Sequence, residues 1–323
     1  MITKPDITRA ATGRLVLLTL LFVGTGLGLL AGCGTEETTE PPADTNPFAA
    51  AKVGTDATLE VVTWNLETFA KSGSSTIELA AQAIEAMDAD IVACQEITYR
   101  DGSLTDFWRL NRKLDGYTGY EATSDHFMNV GFLVRTDTLL TDVTFYEILG
   151  DHDEFARTPL VLQANFAGNP FVVINNHFKC CGDGVIDADD PWDEENRRKN
   201  CNLALQQYAE ANFAGMGVIM VGDFNDELSD PPAANVFENF LDDPQHWQYT
   251  DLPIALDSSA LWSYPGWPSH LDHILINAEL FTPFSQPQSL VEVEPLHTYL
   301  GEGWSFYDNE LSDHLPVAVR LVF

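Results

Sequence analysis

The chain has 323 residues, with a hydrophobic fraction of 45% and an aromatic fraction of 11%, enough to bury a substantial core as one large domain or two small ones. Its formal net charge of -33 excludes the broad basic surface by which most nucleic-acid binders secure affinity. Such a charge fits a solvated, salt-adapted exterior, and it also fits a substrate that is small or held mainly through a metal ion.

At the N-terminus, Lys4, Arg9 and Arg14 lead into an uncharged, leucine-rich run from Leu15 to Gly32, the layout of a secretory signal. The run closes on Leu30-Ala31-Gly32-Cys33, which resembles the bacterial lipobox, where cleavage precedes the cysteine and lipid is attached to its thiol. Residues 1–32 are therefore expected to be a signal peptide and Cys33 a lipidation site. The protein would then be exported and tethered to a bacterial membrane, facing the cell surface or the periplasm. An uncleaved anchor is the alternative, disfavoured by Gly24, Gly26 and Gly28. Residues 33–57 are polar, acidic and proline-bearing without periodicity, which predicts a flexible tether. A catalytic domain is expected over residues 58–323.

Within that domain, Val61 to Asn65 (VVTWN) is an apolar run ending in a polar residue, and Thr76 to Met87 carries apolar residues at helical spacing. A second run, Ile91 to Glu96 (IVACQE), completes a strand, helix, strand beginning that favours parallel pairing. Short strands are expected at Asn129, Val143 and Pro159, then at Phe171 to His177 (FVVINNH). Asp190 to Phe213 predicts a helix with an acidic first turn, suited to the helix dipole. It leads into the strand Gly217 to Gly222. Asp226 to Ser269 is rich in proline and reads as loop, and His270 to Asn277 and Leu315 to Phe323 close the chain as strands. Four of these segments end in a polar tip, at Asn65, Glu96, His177, and Asp223 with Asn225, and Asp313 with His314 lead into the last, which makes five strand ends in all. One polar tip means little, but five carrying these residue types describe a pocket built at strand ends.

The five cysteines divide unevenly. Cys94 lies in an apolar run and is expected to be a buried small hydrophobe. Cys180, Cys181 and Cys201 suggest, for an exported chain, a disulfide from Cys201 to Cys180 or Cys181. A zinc site lacks the usual ligand spacing, and a bridge between the adjacent cysteines is a rarer alternative.

The ordered set Trp64-Asn65, Gln95-Glu96, Arg157-Thr158-Pro159, Asn175 to His177, Gly222 to Asn225, Leu271 to His273 and Ser312 to His314 resembles the endonuclease/exonuclease/phosphatase (DNase I-like) superfamily. The resemblance covers Leu59 to Phe323, and the segment from His177 to Arg198 is similar to a secreted bacterial nuclease-like branch. It implies an α/β fold, a four-layered α/β/β/α sandwich of two packed mixed sheets, and a metal-dependent phosphodiester hydrolase using Mg2+, with Mn2+ or Ca2+ as substitutes. By that resemblance Glu96, Asn65 and Asp313 hold the metal, and Asp223 takes the proton of the attacking water. Asn225 orients the water or a phosphate oxygen, His314 paired with Asp272 assists the phosphate, and His177 and Arg157 bind non-bridging oxygens. Lys179 and Asn176 are further candidates for the phosphate, although Lys179 is equally placed to neutralise the carboxylates after it. The chemistry suits these residue types, because a phosphodiester needs charge neutralisation, an activated water and help for the leaving oxygen.

Asp183, Asp187, Asp189 and Asp190 are a weaker candidate for a structural calcium site, since they lack the spacing of a calcium loop. His273 is expected to pack. An exported, membrane-tethered nuclease acting on nucleic acid is the first expectation, and a phospholipid or inositol-phosphate phosphodiesterase or phosphatase the second. A binding protein without turnover is disfavoured by the intact set. No feature points to a protein partner, and a monomer is expected.

Overall fold

Two six-stranded mixed sheets, each with a single parallel pair at its middle, carry the strand tips just described. The computed structural model describes residues 46–98, 105–123 and 127–323. The signal segment and Cys33 lie outside the described residues.

The first sheet begins with β1 (Leu59–Phe69), crosses through helix α1 (Ser74–Met87) and returns as β2 (Ile91–Thr98) parallel to β1. Helix α2 (Thr105–Asn111) precedes β3 (Tyr117–Glu121) and β4 (Met128–Arg135). The second sheet follows with β5 (Leu140–Glu147), β6 (Leu160–Phe166) and β7 (Asn169–His177). Helix α3 (Glu194–Asn212) then carries the chain to β8 (Gly217–Asp223), parallel to β7. Strands β9 (Trp247–Tyr249) and β10 (Asp272–Asn277) finish that sheet, and β11 (Leu290–Val293) and β12 (Val317–Leu321) return to the first. The strand orders are β11-β12-β1-β2-β4-β3 and β5-β6-β7-β8-β10-β9.

The sequence dictates these elements locally. Helix α1 buries Ile77, Ala80, Ala81, Ile84 and Met87, one apolar stripe at helical spacing, and stops where Asp88 turns left-handed and donates its N–H to the Ile84 carbonyl. Asp193 caps α3 by accepting from the Asn196 N–H at 2.7 Å, and Glu194 and Glu195 in the first turn complement the helix dipole. Expected helix starts at Thr76 and Asp190 thus shift by a few residues to where the caps sit.

Strand alternation sorts the core into two clusters. Val173, Ile219, Val221, Ile274 and Ile276 join the cluster that also contains the first sheet, whereas Val172, Ile174, Val218, Met220 and Leu275 join α3 and the phenylalanines Phe178, Phe224 and Phe237. The same parity at the strand ends turns Asn175, His177, Asp223 and Asp272 toward the first sheet. It turns Asn176, Gly222 and His273 the other way. Two buried amides lock the sheets together beneath that end: Gln95 donates to the Asn175 side chain at 2.7 Å, and Asn175 donates to the Cys94 and Gly131 carbonyls at 3.1 and 2.9 Å.

The ordered fold begins before Thr58. Phe48, Ala51 and Val53 are buried, and the Val53 and Gly54 amides bond the Met87 carbonyl, so the part of the expected tether from Asn46 onward packs against the end of α1. Among the described residues no helix is long and apolar enough to cross a membrane.

Candidate active site

In each sheet the parallel pair places two C-terminal strand ends side by side, and the packing of the sheets brings all four together. Asn65 and Glu96 come from β1 and β2, His177 and Asp223 from β7 and β8. Antiparallel β10 starts at the same place, with Asp272 registered opposite Asp223. The loop before β12 adds Asp313 and His314.

Local irregularity shapes the first sheet's contribution. Between Asn65 and Phe69 β1 gains residues relative to β2, a bulge in which Glu67, Thr68 and Glu96 all take positive φ. The bulge presents the Thr68 N–H to Glu96 Oε2 at 2.7 Å, with the Thr68 hydroxyl at 3.3 Å, and so anchors the carboxylate by one oxygen. Glu96 Oε1 is left facing Asn65 Nδ2 at 3.4 Å and His177 Nε2 at 3.9 Å. In the second sheet Gly222 is required, since a Cβ there would lie 2.0 Å from the Asn176 carbonyl oxygen and φ is +145°.

Asp223 is the hub. Its Oδ2 accepts from Asn65 Nδ2 at 2.9 Å and lies 3.6 Å from His177 Nε2 and 3.9 Å from His314 Nε2, while Oδ1 accepts from the Asn225 N–H at 2.9 Å. Burial pushes its carboxyl up to about 7, with His314 opposing and Asp272 adding to the rise. Asn225, at φ +54°, ties its side chain back to the Phe178 carbonyl at 3.2 Å.

His314 Nδ1 meets Asp272 Oδ2 at 2.7 Å, both buried. Burial works against a charged imidazole here, but the Asp272 carboxylate outweighs it and, with Asp223 and Asp313, pushes His314 up to about 10. The loop is fastened: the Ser312 hydroxyl donates to the Asn65 carbonyl at 2.7 Å, and Trp64 Nε1 and the Tyr307 hydroxyl donate to the His314 carbonyl at 3.1 and 2.7 Å. The Tyr264 ring lies 4.8 Å from that of His314. His177 is the contrasting histidine. Burial, then Arg157 and His314, hold its pKa well below the usual value, so it is neutral. Arg157 reaches the same space, its guanidinium bonded to the Phe178 carbonyl at 3.1 Å, and burial lowers its pKa against the attraction of Glu96 and Asp223.

Four expectations need correction. Asn176 sits on the outward parity of β7, its amide donating to the Ile174 and Val221 carbonyls, so Asn175 and His177 are the members of that motif that face the first sheet. Lys179 is turned away, 3.6 Å from Glu194 and bonded to the Cys180 carbonyl, so it neutralises a following carboxylate. Asn65 presents its amide nitrogen to Glu96 and Asp223, and its oxygen takes the Glu67 N–H at 3.0 Å, which makes it an organiser of the carboxylates rather than an open oxygen donor. Cys201 is a buried free thiol beneath β7 and β8, and the expected bridge to Cys180 or Cys181 is not formed.

Sequence reading also missed supporting residues. His273 faces α3 among aromatic rings, yet it is charged rather than merely packed. Its Nδ1 meets Asp251 Oδ2 at 2.6 Å and its Nε2 meets the Asp226 carbonyl at 3.0 Å, two acceptors that require both ring nitrogens to be protonated. Although burial opposes it, Asp251 raises the His273 pKa. This ion pair straps β10 to the turn that carries Asp223 and Asn225. Only the acidic residue and histidine themselves were visible in the sequence, without their partnership. The loop aspartates Asp183, Asp187 and Asp190 each accept a backbone N–H two residues on, as turn formers do.

Burial, with the Glu96 carboxylate adding to it, raises the Asp313 pKa, and the two side chains offer hard oxygen donors in the pocket of Asp223. The donor set fits a hard divalent cation.

A model of the endonuclease/exonuclease/phosphatase family matches residues 62–314. Similar solved structures include D. rerio TDP2 complexed with single strand DNA product, at 16% identity and TM-score 0.62, covering 83% of this chain and 100% of that one. The mannosyl-6-phosphatase Bt3783 of Bacteroides thetaiotaomicron matches at 17% identity and TM-score 0.54, covering 82% and 100%. The human Nocturnin catalytic domain with bound sulfate matches at 16% identity and TM-score 0.54, covering 83% and 94%. At these identities the likeness is one of fold. No curated protein matches by sequence.

Proposed function

The chain belongs to the endonuclease/exonuclease/phosphatase family, and from that premise we propose that it is an exported, membrane-tethered nuclease that cleaves a phosphodiester with a divalent cation, Mg2+ first. Hydrolysis of a phosphate ester is the family's chemistry, and the family is typically dependent on a divalent metal. The observation that carries the reading is the convergence on Asp223 of an amide, a neutral histidine and a charged histidine, within one pocket that also holds Glu96 and Asp313.

Glu96 and Asp313 would hold the cation, which would supply charge neutralisation at the phosphate. Asp223, raised toward neutrality by burial, accepts the proton of the attacking water. Asn65 keeps that carboxylate in place through its Nδ2–H, and Asn225 orients the water or a phosphate oxygen. His314, held as imidazolium by Asp272, stabilises charge developing on the phosphate, and Arg157 with the neutral His177 donates to the non-bridging oxygens.

Support for a nucleic-acid substrate comes from the pocket's rim. Tyr264 and Ser269 pair across a proline-bounded turn, and Trp267 at its tip is 77% exposed. An aromatic ring held there beside the phosphate site can stack a base. The acidic chain favours the second reading, a phosphatase or phosphodiesterase for a smaller phosphate ester, because a single phosphate engages the pocket without needing a basic track.

Incubating the protein with single-stranded and plasmid DNA, RNA, sphingomyelin, inositol phosphate and a small aryl phosphodiester, with Mg2+ or with chelator, tests the reading. DNA or RNA cleavage that chelator abolishes and that Glu96→Gln reduces by orders of magnitude is expected. Undiminished turnover in Glu96→Gln would remove the metal assignment, and hydrolysis confined to lipid or inositol phosphate would replace nuclease with the second reading. For Trp267→Ala the KM for single-stranded DNA should rise about tenfold, with the aryl diester unaffected. Export is read from the basic start and the uncharged run Leu15 to Gly32, and lipidation from Leu30 to Cys33; an unmodified Cys33 or an intact residue 1 on mass spectrometry would overturn them.

A further inference from the structure

We propose that Cys180 and Cys181 are a reversible redox modification site, closing on oxidation to a vicinal disulfide next to the catalytic strand β7. Their sulfurs lie 3.0 Å apart, nearer than two unbonded sulfur atoms normally approach. Adjacent cysteines seldom achieve this, because the alpha carbons of neighbouring residues stand about 3.8 Å apart, short of the spacing most disulfides span. Here the backbone supplies the missing turn. Cys181 has φ +72°, a conformation that brings its thiol to the same side as that of Cys180.

The turn is held from beneath. Arg198 Nη1 donates to the Lys179 carbonyl at 2.9 Å and to the Cys181 carbonyl at 2.6 Å, while its Nε meets Asp226 Oδ2 at 2.8 Å. The same arginine therefore grips the cysteine turn and the residue that follows Asn225. Access separates this pair from the other thiols. Cys181 is exposed and Cys180 half-exposed, whereas Cys94 and Cys201 are fully buried and burial raises both their pKa values.

The step balances by thiol–disulfide exchange with a small disulfide donor. One cysteine thiolate attacks a sulfur of the donor and releases one donor thiol; the second cysteine then attacks the mixed disulfide and releases the other. The protein loses two hydrogens, and the donor disulfide is reduced to two thiols. A bridge strained by adjacency and open to solvent is of the labile kind that a dithiol readily reduces.

The test is to treat the purified protein with oxidised glutathione, alkylate it under denaturing conditions without reductant, and digest it after lysine and arginine. Cleavage at Lys179 and Arg197 leaves Cys180 and Cys181 on one peptide and Cys201 on another. The expected result is an unalkylated 180–197 peptide lighter by two hydrogens, restored to double alkylation by dithiothreitol, with Cys94 and Cys201 alkylated throughout. In Cys181→Ser, a surface change, the mass loss should vanish and Cys180 should be alkylated or carry glutathione. The proposal is overturned by double alkylation of the 180–197 peptide after oxidant, or by its crosslink to the Cys201 peptide.

Discussion

His314 and His177 show what a few ångströms of environment do to one residue type. Both are buried at the same pocket, yet His314 has Asp272 on Nδ1 and is held charged to about 10, while His177 has Arg157 and His314 for neighbours and is held neutral. If Asp223 is the base and His314 the charged partner, the rate should rise as pH climbs through about 7, where Asp223 loses its proton, and fall above about 10, where His314 loses its own. Asp272→Asn removes the charge that raises both groups, so both limbs should move toward acid, with about a hundredfold loss above neutrality. His314→Ala should cost about as much alone as combined with Asp272→Asn, because groups that act as a unit are not additive. A basic limb unmoved in Asp272→Asn, measured as rate against pH, would dissolve the dyad. The residue types of the candidate site were legible in the sequence because buried strands rarely need Asp, His and Asn at their tips. Their protonation states were not, since these depend on neighbours distant in the chain.

At the scale of elements, one residue's parity on a strand decides its role. Asn175 and Asn176 are indistinguishable as neighbours in the sequence, but β7 sends the first into the seam between sheets and the second toward α3. The two-residue period that turns Val173 toward the first sheet turns Asn175 and His177 there as well, but the continuous apolar run of a doubly buried strand obscures it. β10 repeats the lesson, with Asp272 inward at the pocket and His273 outward in its ion pair with Asp251. Removing His273 leaves buried Asp251 with His270 and the Ile274 N–H as its remaining partners, so His273→Phe should lower unfolding free energy by about 1.5–3 kcal/mol in a denaturant titration. It should also loosen the Asp223 turn by freeing the Asp226 carbonyl, visible as faster amide exchange at Asn225. A variant with unchanged stability would show that His273 only fills space. Short β3, β9 and β11 escaped the sequence reading because three to five residues are too few to display a period.

Across the whole molecule the charge and the pocket pull in opposite directions. A chain of net charge -33 repels a polyanion at long range, while Arg157, His314 and the cation that Glu96 and Asp313 would hold in the proposed mechanism would attract one phosphate at short range. Salt screens the first more than the second. The KM for DNA should therefore stay level or fall as salt rises from roughly 50 to 200 mM, the reverse of a basic-footprint nuclease, whose affinity drops steeply. Steady-state kinetics across that range check it, and a steep rise in KM would reveal a basic track.

The phosphoester-hydrolase chemistry came from the family resemblance, whereas the α/β class, most strands in chain order and most of the residues that converge on Asp223 came from the sequence alone. These follow from local patterns, since apolar runs, helical spacing and polar tips are written within a few residues of one another. Only the tertiary structure decided that Asn175 rather than Asn176 joins the seam, that Lys179 serves Glu194, that Asn65 organises carboxylates with its amide nitrogen, and that Cys181 lies against Cys180 while Cys201 stays buried. Each of these turns on which atoms face one another across separate strands and helices. Chain neighbours limit that outcome, but it is the packing of the two sheets that selects it.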